Sequence, residues 1–77
     1  MDVHILIFGH LTDITGTSQL SIENVADTDG VQAELKRRFP ALADASYAVA
    51  LDKKIVSENT GVTNNSTVAL LPPFSGG

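Results

Sequence analysis

The sequence contains no cysteine, which excludes disulfide bonds, cysteine metal sites and a thiol nucleophile. Its five lysines and arginines are outnumbered by nine aspartates and glutamates, so the net charge is −4. This balance disfavours nucleic acid and anionic membranes as partners, because phosphate contacts need clustered basic side chains. No apolar run is long enough to span a bilayer and no signal-peptide pattern is present, so we predict a cytoplasmic protein.

The chain also lacks the residue patterns of catalytic sites. His4 and His10 have no partners at the spacing of metal ligands, and no nucleophile elbow surrounds any serine. The glycines of the domain body are isolated, so a phosphate-binding loop is absent as well. We therefore expect no catalytic residue in the body of the domain, no metal site and no cofactor bound by this chain.

Hydrophobic residues make up 43% of the 77 positions and charged residues 18%, which is typical of one globular domain. Runs of β-branched, aromatic and other apolar residues predict strands at residues 3–9, 47–51, 55–56 and 67–71, and alternation of apolar and polar residues predicts one at residues 19–23. With one helix between the second and third strands, the order is β-β-α-β-β-β. This order predicts an α+β fold, in which a mixed sheet of four or five strands packs on one main helix. The last strand is expected to lie beside the first.

The predicted helix ends before Pro40, since proline cannot continue it. Two residues are candidates for its N-cap: Asp29 has capping-box spacing to Gln32, and Thr28 is the alternative. We interpret the basic run at residues 36–38 as a solvated helix end that opposes the helix dipole. Its apolar residues recur every four positions and form a narrow stripe, namely Val31, Leu35 and Phe39.

Polar or small residues connect these elements. Residues 10–18 are predicted to be a turn-rich loop, with Gly16 as a candidate for positive φ. Residues 41–46 are predicted to be a linker with one short turn. Residues 57–66 are polar, and Val62 is the apolar anchor inside them.

The first strand carries apolar residues on both of its faces. Val3, Ile5 and Ile7 alternate onto one face, whereas Leu6 and Phe8 lie on the other. If only one face belongs to the core, Leu6 and Phe8 are surplus apolar surface. The second face is then either covered within the domain or used as a docking patch.

The chain divides into a domain, residues 1–71, and an extended tail, residues 72–77. Pro72 and Pro73 stop the last strand and stiffen the tail, which reaches on the order of 20 Å at roughly 3.3 Å per residue. Gly76 and Gly77 have no side chain, so the terminal carboxylate fits a narrow channel. A carboxylate must be activated before a nucleophile can attack it. The tail therefore indicates a substrate or carrier for a nucleotide-using enzyme.

The element order and an end reading LLPPFSGG resemble the small subunits of molybdopterin synthase, which are ubiquitin-like, β-grasp sulfur carriers of the MoaD/ThiS type. The resemblance covers the whole chain, from IFGHLTDITG near the start to VALLPPFSGG at the end. Tails in this family commonly read aromatic-Pro-Pro-x-x-Gly-Gly, and Leu71 stands here in the aromatic position. Family members often carry an arginine after the first strand, where this chain has Thr12 or Asp13.

The resemblance implies that an E1-like adenylyltransferase uses ATP to adenylate Gly77, and that sulfur then replaces the adenylate as a thiocarboxylate. The tail would insert into the large subunit of molybdopterin synthase, within a heterotetramer, and donate sulfur to precursor Z (cyclic pyranopterin monophosphate) in molybdenum cofactor biosynthesis. Catalytic lysines would belong to the large subunit. The implied docking residues are Phe8, Ile55 and Leu71, and the inserted residues before Gly77 are Pro72, Pro73, Phe74, Ser75 and Gly76.

Two alternatives share this tail chemistry. One is a ubiquitin-like modifier that is conjugated through Gly77 to lysines of other proteins. The other is a sulfur carrier for thiamine or another sulfur pathway. The proline pair favours molybdopterin, because the related thiamine carriers usually lack it.

Overall fold

Five strands form a mixed sheet in the computed structural model, which describes residues 1–73. They are β1 (Val3–Ile7), β2 (Gln19–Ile22), β3 (Ala48–Leu51), β4 (Lys54–Val56) and β5 (Ser66–Leu71). Their order across the sheet is β2-β1-β5-β3-β4; β1 and β5 run parallel, and the other neighbouring pairs are antiparallel. The last strand lies beside the first, so the predicted α+β architecture with a mixed sheet is confirmed.

Two α-helices and two 3₁₀-helices connect the strands. The main helix, α2, spans Thr28–Arg38, and a single short turn, α1, spans Thr12–Thr15. The 3₁₀-helices are Gly9–Leu11, directly before α1, and Pro40–Asp44, directly after α2. The second of them lies where we predict a linker with one short turn.

The connection between β1 and β2 contains more helix than the predicted turn-rich loop. Leu11 is fully buried there and anchors the segment to the core. Periodicity cannot detect these elements, because helices of three and four residues do not complete a repeat of apolar positions. Gly16 caps α1 with a φ of 73°, which confirms the predicted left-handed turn.

The hydrophobic core lies between the inner face of the sheet and α2. Val3, Ile5 and Ile7 are buried, as their alternation predicts. Val31 and Leu35 of α2 join the same cluster. Burial of one such side chain contributes roughly 1.5–3 kcal/mol relative to its exposure. The other buried members of the core are Leu11, Ile22, Val25, Leu42, Val49, Val62, Val68 and Leu70.

The N-cap of α2 is Asp27, so the predictions of Asp29 and Thr28 were wrong. The Asp27 backbone is extended, and its carboxylate accepts a hydrogen bond from the Gly30 amide at 2.8 Å. Asn59 donates its side-chain amide to the other carboxylate oxygen at 3.1 Å. Residues 27–29 all have side chains that can cap a helix. The hydrogen bond from Asn59, which is distant in sequence, favours Asp27 as the N-cap.

The start of α2 is also tied to the loop that precedes β5. Thr28 is buried, and its hydroxyl accepts a hydrogen bond from the Thr60 amide at 3.0 Å. Thr28 also donates its amide to the Thr60 carbonyl at 2.8 Å. The amide of Asp29 donates to the side-chain oxygen of Asn59 at 2.9 Å. These bonds fix the position of the loop on the helix.

Replacing Thr28 by valine is expected to destabilise the domain by about 1–3 kcal/mol, because the Thr60 amide loses its buried acceptor. Urea denaturation followed by circular dichroism measures this change. Thr60→Val is the matched control, since its hydroxyl donates to the Glu58 carbonyl at an exposed position. Equal losses in the two variants would show that the Thr28 hydroxyl does not hold the loop.

Two carboxylates at α2 predict a loss of stability in acid. Hydrogen bonds from Arg37 and Arg38 hold the pKa of Glu34 at about 2, and those from Gly30 and Asn59 lower the pKa of Asp27. Because both folded pKa values are depressed, the unfolded chain binds more protons in acid. The contribution of Glu34 is present above its ordinary pKa of 4.5 and is lost as the pH falls toward about 2. The contribution of Asp27 is present above its ordinary pKa of 3.8 and is lost at lower pH.

The expected effect is small, since both groups are in partial contact with solvent and are screened. The melting temperature measured between neutral and strongly acidic pH is expected to fall less steeply in Glu34→Gln than in the wild type. A Glu34→Gln curve as steep as the wild-type curve would contradict the assignment.

Candidate functional site

An apolar row crosses the outer face of the sheet, opposite the core. Leu6 of β1 is paired with Ala69 of β5, which is paired in turn with Ala50 of β3. Ala50 is then paired with Ile55 of β4. Paired residues point to the same face of a sheet, so these four side chains form one continuous row over four strands.

A second apolar row lies beside the first. Phe8 follows the end of β1, and its amide donates to the Leu70 carbonyl at 3.1 Å, which extends the parallel ladder beyond the strand. Leu71 is therefore the neighbour of Phe8, and it is paired with Ala48 on its other side. We use the term outer apolar face for the two rows, which contain Leu6, Phe8, Ala48, Ala50, Ile55, Ala69 and Leu71.

The predicted docking residues all lie on the outer apolar face. Phe8 is 44% exposed, Ile55 is 62% exposed, and Leu71 is partly buried. The two exposed side chains remain uncovered by the rest of residues 1–73. Of the two interpretations of the second face of β1, this geometry favours an uncovered patch. That it docks a partner stays a prediction.

The outer apolar face forms a depression of about 580 Å³ with a polar border. At one end of the depression, Thr67 and Asp52 are joined by two hydrogen bonds, at 2.8 and 2.9 Å. Toward β2, the imidazole of His4 lies 3.2 Å from the amide oxygen of Gln19. An apolar centre within a polar rim is the usual anatomy of a protein–protein interface.

The β3–β4 turn holds a charged pair of residues at the edge of this depression. Asp52 and Lys53 both have positive φ, at 48° and 74°, as two-residue hairpin turns require. The sequence predicts a turn at these residues but not that it borders the apolar face. Lys53 places a cation beside Ile55.

The tail leaves the domain at the edge of the same face. Pro72 directly follows β5 and is partly buried, whereas Pro73 is exposed. The ring of Pro72 packs on Gly9, whose φ is 62°. The path of the chain therefore places the tail's starting point beside Phe8 and Leu71. The other tail predictions, on Phe74, Ser75, Gly76 and Gly77, lie outside the described residues.

Neither histidine has the surroundings of a metal ligand. Within residues 1–73, no three histidine, aspartate or glutamate side chains are grouped closely enough to hold a metal ion. In the same part of the chain, no helix has the length and apolar character needed to cross a membrane.

The sequence matches a family model over residues 5–77, a range that includes the outer apolar face and the whole tail. The chain belongs to the ThiS family. The predicted resemblance to the MoaD/ThiS type is thereby confirmed.

Similar proteins are known from plants, bacteria and archaea. The molybdopterin synthase sulfur carrier subunit of Arabidopsis thaliana is 26% identical, and the match covers 100% of this chain and 84% of that protein. A chain in the complex of subunits 1 and 2 of the Helicobacter pylori molybdopterin-converting factor superposes with a TM-score of 0.75 at 25% identity, covering 100% of both chains. Small archaeal modifier protein 1 of Methanosarcina acetivorans superposes with a TM-score of 0.85 at 20% identity, covering 99% of this chain and 96% of that one. These similarities confirm the predicted β-grasp fold.

Proposed function

We propose that this ThiS-family chain is the sulfur-carrier subunit of a molybdopterin synthase. The observation that carries the proposal is the junction of the outer apolar face with the start of the Gly-Gly tail. Phe8 and Leu71 lie where Pro72 begins the tail, so a partner bound to the face receives the tail at its own surface. The similarity to the Arabidopsis thaliana sulfur carrier supports the assignment.

The proposed reaction begins at the Gly77 carboxylate. Its oxygen attacks the α-phosphate of ATP in an E1-like adenylyltransferase, and pyrophosphate leaves. A sulfur nucleophile delivered by a donor then attacks the acyl carbon, and AMP leaves. The product is a thiocarboxylate, whose sulfur attacks precursor Z (cyclic pyranopterin monophosphate). Water then cleaves the bond between the acyl carbon and the sulfur, so the sulfur stays on the precursor and the Gly77 carboxylate is restored. The chain supplies the acyl group, while the partners supply ATP and the catalytic side chains.

The proposed partner is the large subunit of molybdopterin synthase, in a heterotetramer. The Helicobacter pylori neighbour comes from a complex of subunits 1 and 2, which supports this choice. In the proposed complex, Phe8, Ile55 and Leu71 are buried against the large subunit. The tail from Pro72 to Gly77 extends into its active site. A few residues near the centre of an interface carry most of its binding energy, and buried aromatic anchors are prominent among them.

A second candidate is a protein modifier conjugated through Gly77. Its support is the likeness in fold to small archaeal modifier protein 1 of Methanosarcina acetivorans. Both candidates need the same adenylation and the same tail, and they differ in the nucleophile that attacks the activated glycine. A carrier for thiamine or another sulfur pathway differs only in the acceptor of the sulfur.

Reconstitution from purified components tests the proposal. The chain is prepared with a C-terminal thiocarboxylate and is mixed with the large subunit from the same organism and with precursor Z. We expect molybdopterin to form in proportion to the thiocarboxylate consumed, and none to form with the carboxylate form. If the thiocarboxylate is consumed but no molybdopterin forms, precursor Z is not the sulfur acceptor, and another sulfur pathway is favoured.

A further inference from the structure

Gly9 lies where β1 ends, in close contact with the first residue of the tail. An ideal Cβ added to Gly9 would lie 2.6 Å from Cγ of Pro72 and 3.5 Å from its Cδ. Carbon atoms do not approach to 2.6 Å, so any side chain at Gly9 must displace the proline ring. This ring is closed onto the backbone, so beyond the small shift of Cγ that a change of ring pucker allows, it moves only together with the tail.

The position of Gly9 is fixed from both sides. Before it, the Phe8 amide donates to the Leu70 carbonyl and joins the segment to β5. After it, the Thr12 hydroxyl donates to the Gly9 carbonyl at 2.9 Å, and the Thr12 amide donates to the same oxygen. Gly9 itself has a φ of 62°, which a residue with a Cβ adopts only under strain. The proline ring therefore rests on a backbone segment that is held firmly in place.

We infer that Gly9 is a positioning residue for sulfur transfer. The ring of Pro72 packs against the Gly9 backbone, and this contact sets the direction in which the tail leaves the domain. This role rests on the proposed sulfur-carrier function. The terminal carbonyl lies five residues beyond Pro72. A small rotation of Pro72 relative to Gly9 therefore becomes a displacement of several ångströms at Gly77 if the tail is extended. A misplacement of about 1 Å at a reacting atom can reduce a rate by about 100-fold.

Gly16 provides a matched control for substitutions at Gly9. It also has a left-handed backbone, with a φ of 73°, but among residues 1–73 no atom beyond its own chain neighbours lies within 4 Å of the Cβ that would be added there. Gly9→Ala and Gly16→Ala both place a Cβ on a residue with positive φ, and only Gly9→Ala adds the clash with Pro72. The contact itself is then isolated by repeating Gly9→Ala in a chain that lacks the proline ring.

The first measurement is thermal unfolding of the full chain without any partner. We expect Gly16→Ala to lower the melting temperature by roughly 5 °C and Gly9→Ala to lower it by more. Combining Gly9→Ala with Pro72→Ala removes Cγ and Cδ of the ring. In this double variant, the part of the decrease in melting temperature that exceeds the decrease in Gly16→Ala is expected to disappear.

The second measurement separates docking from transfer. With the large subunit, Gly9→Ala is expected to bind within about threefold of the wild type, because the outer apolar face keeps its side chains, while single-turnover transfer slows by roughly 10- to 100-fold. Gly16→Ala is expected to transfer at the wild-type rate. Pro72→Ala is expected to be slow, and the double variant is expected to be no slower than Pro72→Ala.

Equal melting temperatures for Gly9→Ala and Gly16→Ala, or transfer defects of Gly9→Ala and Pro72→Ala that multiply in the double variant, would overturn the inference. Wild-type transfer by Gly9→Ala would overturn it as well. Each of these results is interpreted only when the wild-type thiocarboxylate transfers sulfur in the same assay. A wild-type thiocarboxylate that transfers no sulfur contradicts the proposed function instead, and the positioning role is rejected with it.

Discussion

Deletion of Gly76 and Gly77 is expected to reduce sulfur transfer to background while leaving the domain folded and able to dock. The truncated chain ends at Ser75, so the acyl group is two residues short of the site where it reacts. The core and the outer apolar face belong entirely to residues 1–71 and are unaffected. Transfer is measured with the purified large subunit, and folding is measured by thermal unfolding.

Competition provides the control for this deletion. The truncated chain is expected to bind the large subunit with nearly the affinity of the full chain and therefore to inhibit transfer by the wild type. A truncated chain that still supports molybdopterin synthesis would show that the tail is not the sulfur carrier. A truncated chain that does not compete would show that docking depends on the two glycines.

Replacing Phe8 by aspartate is expected to weaken binding of the large subunit by roughly 30-fold or more, which corresponds to about 2 kcal/mol. The physical reason is that a carboxylate would have to be desolvated at the centre of an apolar interface. Phe8 is 44% exposed, so it loses only part of its burial and the free energy of unfolding is expected to fall by about 1 kcal/mol. Isothermal titration calorimetry and urea denaturation measure the two quantities.

Ala33→Asp is the matched control for Phe8→Asp. Ala33 is exposed on α2, and its substitution changes the net charge by the same amount away from the outer apolar face. We expect it to bind like the wild type. Unchanged affinity in Phe8→Asp would contradict the docking assignment. Loss of the cooperative thermal transition in Phe8→Asp would instead place Phe8 in the core of the domain.

Most of the sheet could be predicted from the sequence, because its strands are short runs of apolar and β-branched residues between polar or turn-forming segments. The faces of β1 follow from a period of two, which places Val3 and Ile5 inside and Phe8 outside. The position of β5 beside β1 follows from the rules for connections between strands. The helix was also predictable, since Val31 and Leu35 recur at helical spacing.

The details that depend on distant residues could not be predicted. Asp27 is the N-cap of α2 in contact with Asn59, which is 32 positions away in the sequence. Neighbouring Thr28 and Asp29 have equally good capping side chains, so local patterns cannot choose among the three. The short helices between β1 and β2 are too brief to give a periodic signal.

The candidate site was predictable in part. Ile55 and Leu71 lie in β4 and β5, Phe8 directly follows β1, and the sheet register places the three on one face. The contact between Gly9 and Pro72 joins positions that become neighbours only because β1 and β5 are parallel. One local signal for the Gly9 turn existed, since a threonine three residues after a glycine can bond back to its carbonyl.

Intact-protein mass spectrometry of the chain purified from its native cell tests the central claim, that Gly77 carries the sulfur. Cells lacking the large subunit are the best source, since the loaded form should accumulate there. The account predicts chains that end at Gly77 and in which one carboxylate oxygen is replaced by sulfur. Chains that never carry sulfur, that retain further residues after Gly77, or that are found only in isopeptide linkage to other proteins would contradict it.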